Sequence, residues 1–378
     1  MSAMRKLSGT KGFKSKKSAG SPVKKSDKAK LRSAKSRRIR LILIIVASTL
    51  LIAIIAAFIF LIISSNKQSK LDQLGTGKQP ENIKYFSPLT GREVGNADST
   101  KRTVLAVMIE NSPNARPQSG LKDAGVIFEA VAEGGITRFI VLYQEAEPEL
   151  IGPVRSLRSY YLEWAAGFDA AIAHVGGSGD ALAMIRSGNY GVDLDEFSNS
   201  KAFWRAKDRY APHNVYTDFQ HLTDFAKSKG KTTSQFDSWP RMNSAAAEIV
   251  DANVINLEPS TGQFSVRYNY DAATNTYLRF QGNQPHSDRE KGQIAPDVVI
   301  AFRVSQTLAS DGLHSNIQTS GNGEAYIFQN GTVQQVTWQK ANARSQMKFV
   351  DSEGQEVKLN RGQVWLTAVG QGRNISWQ

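Results

Sequence analysis

A run of twenty-three residues, LILIIVASTLLIAIIAAFIFLII at 41–63, sets the first limit on what this chain can fold into. Ser48 and Thr49 are its only polar members, so no helix face is left to meet water. At ~1.5 Å per residue the run reaches about 34 Å, enough to cross a bilayer's hydrocarbon layer with some tilt. A cleaved signal peptide has a shorter apolar core, about 7–15 residues. No small-x-small cleavage pattern follows before Asn66-Lys67 either. The reading is a membrane-spanning helix that separates a short N-terminal tail from everything after it.

Charge gives the span a direction. The 378-residue chain carries a net charge of +13, and fifteen Lys or Arg against Asp27 give its first forty residues +14. The remaining 338 residues therefore hold −1. A basic tail before the span places the N-terminus in the cytoplasm and the folded part outside. The near-neutral remainder does not fit a nucleic-acid-binding fold. The tail at 1–40 has too few large apolar residues to bury a core and is expected to be disordered, and the polar stretch 64–84 reads as a linker. The chain has no cysteine, which excludes disulfides, thiol catalysis and a lipidated cysteine anchor.

Beyond the linker, the richest stretch is 126–174. Two apolar runs, Val126–Glu133 and Ile136–Tyr143, flank Gly134-Gly135, the pattern of a tight hairpin. The turn pairs Glu133 with Ile136, Val131 with Arg138, and Glu129 with Ile140. Glu129, Glu133 and Arg138 then share one sheet face. Strand and helix patterns alternate as far as residue 250: a strand at 104–109, helices at 158–167 and 180–186, and a strand at 170–175. Thr217 and Gln220 suggest a capping box for a further helix. After 251 the chain shows short strands, with Asn330-Gly331 the clearest hairpin turn. The expected architecture is α+β or α/β: a membrane anchor, an α/β domain at 85–250, and an antiparallel β-rich domain with its own core at 251–378.

Arg155 and Arg158 lie three apart where a helix begins, so two guanidinium forks and free backbone N–H groups can face one anion. Equally, each arginine can pair with a nearby acid such as Glu129 or Glu133. His174 ends a strand and His213 follows Pro212, so either can serve as an acid or base or as a packed, hydrogen-bonded residue. His286 fits a turn role. The Gly176–Gly179 loop lacks the dinucleotide fingerprint and the P-loop lysine, and no metal-ligand spacing is present. No cofactor and no metal are therefore expected.

Several motifs in order, ENSPNARPQSGL at 110–121, FEAVAEGGITRF at 128–139, GPVRSLR at 152–158 and RYAPHN at 209–214, resemble the YerB family of bacterial envelope proteins. The resemblance continues through 266–279 and 323–369 and so covers nearly all of 85–370. It implies an extracytoplasmic two-domain protein of unknown function, with an association with cell-wall synthesis as a further expectation. It implies no established catalytic activity or ligand. Matched motif by motif, it points to Arg116, Glu129, Glu133, Arg138, Arg155, Arg158, Arg209 and His213. The chain departs from the family pattern in lacking a lipoprotein cysteine. It has Gly125 where an acid is usual and Leu157 where a smaller residue is usual.

Three functions remain open on the sequence. The first is a membrane-anchored binding or regulatory protein for an anionic envelope ligand or a wall-synthesis partner. The second is a hydrolase or transferase acting on wall glycan or anionic polymer, with Glu129 or Glu133 as acid or base assisted by His213. Same-face residues four apart on a strand are roughly 13 Å apart, too far for a glycosidase carboxylate pair. The third is a structural scaffold.

Overall fold

The computed structural model describes residues 43–64 and 83–378. The tail at 1–40 and most of the expected linker lie outside the described residues. Leu43–Ser64 is a single apolar helix, α1, long enough to cross a membrane. Residues 83–378 form a separate compact unit, described by itself below.

The main strands of that unit, in chain order, are β1 (Leu105–Glu110), β2 (Val126–Glu133), β3 (Ile136–Tyr143), β4 (Ala171–His174) and β5 (Val192–Asp195). There follow β6 (Val254–Leu257), β7 (Val266–Asp271), β8 (Thr276–Gln281), β9 (Gln284–Pro285) and β10 (Val298–Val304). The last are β11 (Gly321–Gln329), β12 (Thr332–Lys340), β13 (Lys348–Val350), β14 (Val364–Gly370) and β15 (Ile375–Trp377). Helices α2 (Ser159–Ala166), α3 (Gly179–Arg186) and α4 (Phe219–Ser228) lie in the first half.

Ten strands make one mixed sheet in the order β13-β12-β11-β10-β14-β2-β3-β1-β4-β5. Its central strands read as near-continuous apolar runs because both faces are covered. One face packs Ala106, Met108, Phe128 and Ile140 against Tyr160, Tyr161 and Trp164 of α2 and Ile185 of α3. The other packs Val107, Ile127, Phe139 and Val141 against Phe219, Leu222 and Phe225 of α4 and against a five-stranded antiparallel sheet, β9-β8-β7-β6-β15. That smaller sheet has one inner face, so β7 and β8 alternate buried and half-buried residues.

The expected division at 250/251 does not separate two cores. Strand β14, from the C-terminal half, lies between β10 and β2 and pairs parallel to both. Both apolar clusters draw residues from both halves. The fold is β-rich with few helices on a large mixed sheet; the α-helices of this unit fall in the first half as expected, but the two halves share their cores. The short strands of the second half read locally as antiparallel hairpins, and nothing local announces that β14 inserts beside β2.

The Gly134-Gly135 hairpin forms, with φ of +55° and +77° at the two glycines. Asn330-Gly331 turns β11 into β12 the same way, with φ of +61° and +80°. The start of α4 differs from expectation. Its cap is Asp218, whose carboxylate accepts from the His221 N–H at 2.7 Å, while Thr217 Oγ1 donates to Ala202 O instead.

Candidate functional site

The register of the β2–β3 hairpin decides where its acids go. Glu133 does face Ile136, but Val131 faces Thr137, Ala130 faces Arg138 and Glu129 faces Phe139. Ala132 is an extra residue in β2, a β-bulge, and one extra residue reverses which face later side chains occupy. Glu129 therefore points to the face of the small sheet and Glu133 to the face of α2. The shared face expected for Glu129, Glu133 and Arg138 is corrected: only Glu133 and Arg138 meet.

Glu129 is fully buried and pairs with Arg279, also fully buried, at 2.8 Å. Its carboxylate also accepts from Trp365 Nε1 at 3.0 Å and from Thr137 Oγ1 at 3.2 Å. The Arg279 guanidinium lies 4.1 Å from the Trp365 ring centroid, donates to Tyr268 OH, and donates from Nε to His286 Nδ1 at 2.9 Å. Because Nδ1 accepts, His286 carries its proton on Nε2 and donates it to Gln118 Oε1 at 3.0 Å. Burial, then the charges of Arg279 and Arg116, push His286 well below its ordinary value, so it is neutral. Gln118 passes the chain on to Asn111 Oδ1 at 3.0 Å. This network welds the two sheets together. His286 is thus a network member, not a turn residue.

On the opposite face, Glu133 takes Arg138 on Oε1 at 2.6 Å and Arg158 on Oε2. Burial alone would raise the Glu133 carboxyl, but the two guanidiniums outweigh it and hold it below the ordinary 4.5. Arg138 also donates to Ser156 O at 2.8 Å, fixing the loop before α2. Leu157, in that loop, is fully buried and belongs to the apolar core. Arg155 lies 3.3 Å from Glu110 Oε2, which also holds His213 Nδ1 at 2.9 Å. His174 is fully buried, with Nδ1 on Gly176 O at 2.8 Å and Nε2 on Asp193 Oδ1 at 3.1 Å. It ties β4 to β5 and the following turn, and does not meet the other candidates.

Arg116 and Arg209 are different. Each is bonded to carbonyl oxygens and, among the described residues, neither has a carboxylate partner. Arg116 donates to Asn111 Oδ1 at 3.2 Å and Asn111 O at 2.9 Å, and packs over the Phe264 ring. Arg209 donates to Asn114 O at 3.2 Å and to Pro117 O. Together they grip the 112–117 loop, and a cleft opens on each side of it. One, of about 460 Å³, is lined by Arg116, Pro113, Pro117, Gln281, Pro285 and His286. The other, of about 600 Å³, is lined by Arg209, His213, Asp208, Tyr210 and Arg289.

Sequence reasoning singled out neither Arg279 nor Gln281. The available signal was the alternation Tyr277, Arg279, Gln281 along one face of β8, an inner row where apolar residues are expected. Gly125 also finds its explanation here. A Cβ there would lie 2.7 Å from Leu89 Cδ2 and from Thr90 Cγ2, so Leu89 fills the space an acidic side chain would need.

Fold and site define a β-rich mixed-sheet protein with two clefts flanking one arginine-gripped loop. The models described as "Protein of unknown function (DUF3048) N-terminal domain" and "C-terminal domain" match residues 89–232 and 255–366. The "Putative lipoprotein YerB" of Bacillus subtilis (strain 168) is 32% identical over 294 residues, covering 76% of this chain and 86% of that protein. The crystal structure of the YerB protein from Bacillus subtilis superposes with a TM-score of 0.69 at 30% identity, over 77% of this chain and 99% of that one. The chain belongs to the YerB family.

Proposed function

We propose that this protein is a membrane-anchored, extracytoplasmic binding protein of the bacterial envelope that takes an anionic ligand, either a wall polymer or a wall-synthesis partner's acidic segment. The apolar helix α1, preceded by a strongly basic tail, supports the anchoring and the side. The lipoprotein description of YerB in Bacillus subtilis supports an envelope location. One observation carries the ligand. Of the five candidate arginines, Arg138, Arg155 and Arg158 are neutralised by carboxylates, while among the described residues Arg116 and Arg209 have none, and these two line the clefts. A guanidinium held by neutral carbonyls keeps its charge available for a ligand.

An enzymatic reading has one observation in its favour. Glu110 orients His213 through Nδ1, which leaves Nε2 available at the second cleft. Ser112 Oγ, however, bonds Glu110 and sits 3.4 Å from Nδ1, the wrong nitrogen for an activated nucleophile. Glu129 is fully buried and both Glu133 oxygens are occupied, so neither suits acid–base chemistry. Binding is the better-supported function. Titrating the full chain in detergent micelles with an oligo(glycerol phosphate) should show saturable, salt-sensitive binding. Arg209→Ala should weaken it roughly tenfold or more, and undiminished binding would count against this reading.

A further inference from the structure

We propose that the cleft beside Arg116 receives a peptide terminus: one extended residue with its backbone N–H and C=O, next to a free carboxylate. This rests on the anionic-ligand reading and gives it a chemical class.

Gln281 supplies the first observation. It ends the inner row of β8, is 3% exposed and lines the cleft, and among the described residues neither Oε1 nor Nε2 has a partner. A buried carboxamide with both atoms unpaired is unfavourable and calls for a ligand offering one donor and one acceptor. An extended residue presents its N–H and C=O toward the same side, which is that combination. A phosphodiester group offers acceptors only and would leave the Gln281 carbonyl unpaired.

Arg116 supplies the second. Its Nε and Nη2 are fixed by Asn111 and Gln263 O, so the fork is held in place, and Nη1 has no partner among the described residues. A carboxylate is the natural acceptor for that end. Pro113, Pro117 and Pro285 form apolar walls suited to a small side chain, and about 460 Å³ is a ligand-sized space. Both ring nitrogens of His286 are engaged, by Arg279 and Gln118, so it shapes the wall and exchanges no proton.

The test titrates the full chain in detergent micelles with N-acetyl-alanyl-alanine, its C-terminal amide, and acetate. The free acid should bind at millimolar concentration or below, with the amide and acetate each roughly tenfold weaker. Gln281→Met, which keeps size and removes both polar atoms, should weaken the acid roughly tenfold while the melting temperature holds or rises. A merely structural glutamine would lower it. Arg116→Gln should erase the preference for acid over amide. No saturable binding, equal binding of acid and acetate, or an unaffected Gln281→Met variant would each overturn the proposal. The acid-versus-amide comparison on the unaltered chain decides even if a variant fails to fold. Oligo(glycerol phosphate) binding that survives while the dipeptide fails overturns this proposal alone, and loss of both overturns the anionic-ligand reading too.

Discussion

Arg279 and Glu129 show how costly an incomplete charge pair is at full burial. Removing one partner strands the other away from water, whereas removing both with apolar groups of similar size is often close to neutral. Glu129→Leu should therefore destabilise by about 3–5 kcal/mol, and adding Arg279→Met should recover most of that in chemical denaturation. No recovery would mean that Arg279 matters through Tyr268 and His286 instead. Glu133 behaves differently because its carboxyl is lowered by partial neutralisation, not sealed in. Its folded value lies below its unfolded value, so its stabilisation is complete above 4.5 and fades as pH falls through the folded value. Arg158→Ala should cost about 1.5–3 kcal/mol at pH 7. The difference from the unaltered chain should shrink in acid, and a constant difference down to complete acid unfolding would exclude the linkage.

At the scale of elements, the β-bulge at Ala132 separates a structural ion pair from the clamp on α2. Deleting Ala132 should restore a regular ladder and turn Glu133 away from Arg138 and Arg158, destabilising the protein by roughly 3–5 kcal/mol in urea. A variant as stable as its parent would show that the clamp contributes nothing. The hairpin itself was legible: two glycines between apolar runs fix a two-residue turn. The bulge was not, because VIFEAVAE carries no glycine or proline to mark an inserted residue. Face assignments beyond it failed for that reason. The capping of α4 was missed on similar grounds, since Thr217 and Asp218 are both good cap residues and only tertiary contacts choose between them. Among the candidate arginines, sequence identified the residue type and neighbourhood. It could not show that Arg155 and Arg158 are already neutralised, because Arg155 meets Glu110, and Arg158 meets Glu133, only through tertiary packing beyond the hairpin.

For the whole molecule, the apolar span and the basic tail were readable directly, because length and charge alone decide them. The single sheet shared by both halves was not, since the β14–β2 pairing joins residues more than two hundred positions apart. Orientation is open to a direct check. Protease added to spheroplasts should digest residues 83–378 and spare the basic tail, and protection of the folded unit would reverse the topology. The central claim is that arginines already paired with acids hold the fold while Arg116 and Arg209 hold the ligand. Its most direct measurement sets Arg209→Ala beside Arg158→Ala in the full chain, recording oligo(glycerol phosphate) affinity and denaturation midpoint for each. Arg209→Ala should lose roughly tenfold or more in affinity with little change in midpoint, and Arg158→Ala should lower the midpoint while folded protein binds as before. The opposite pattern, with affinity lost at Arg158 and kept at Arg209, would contradict it.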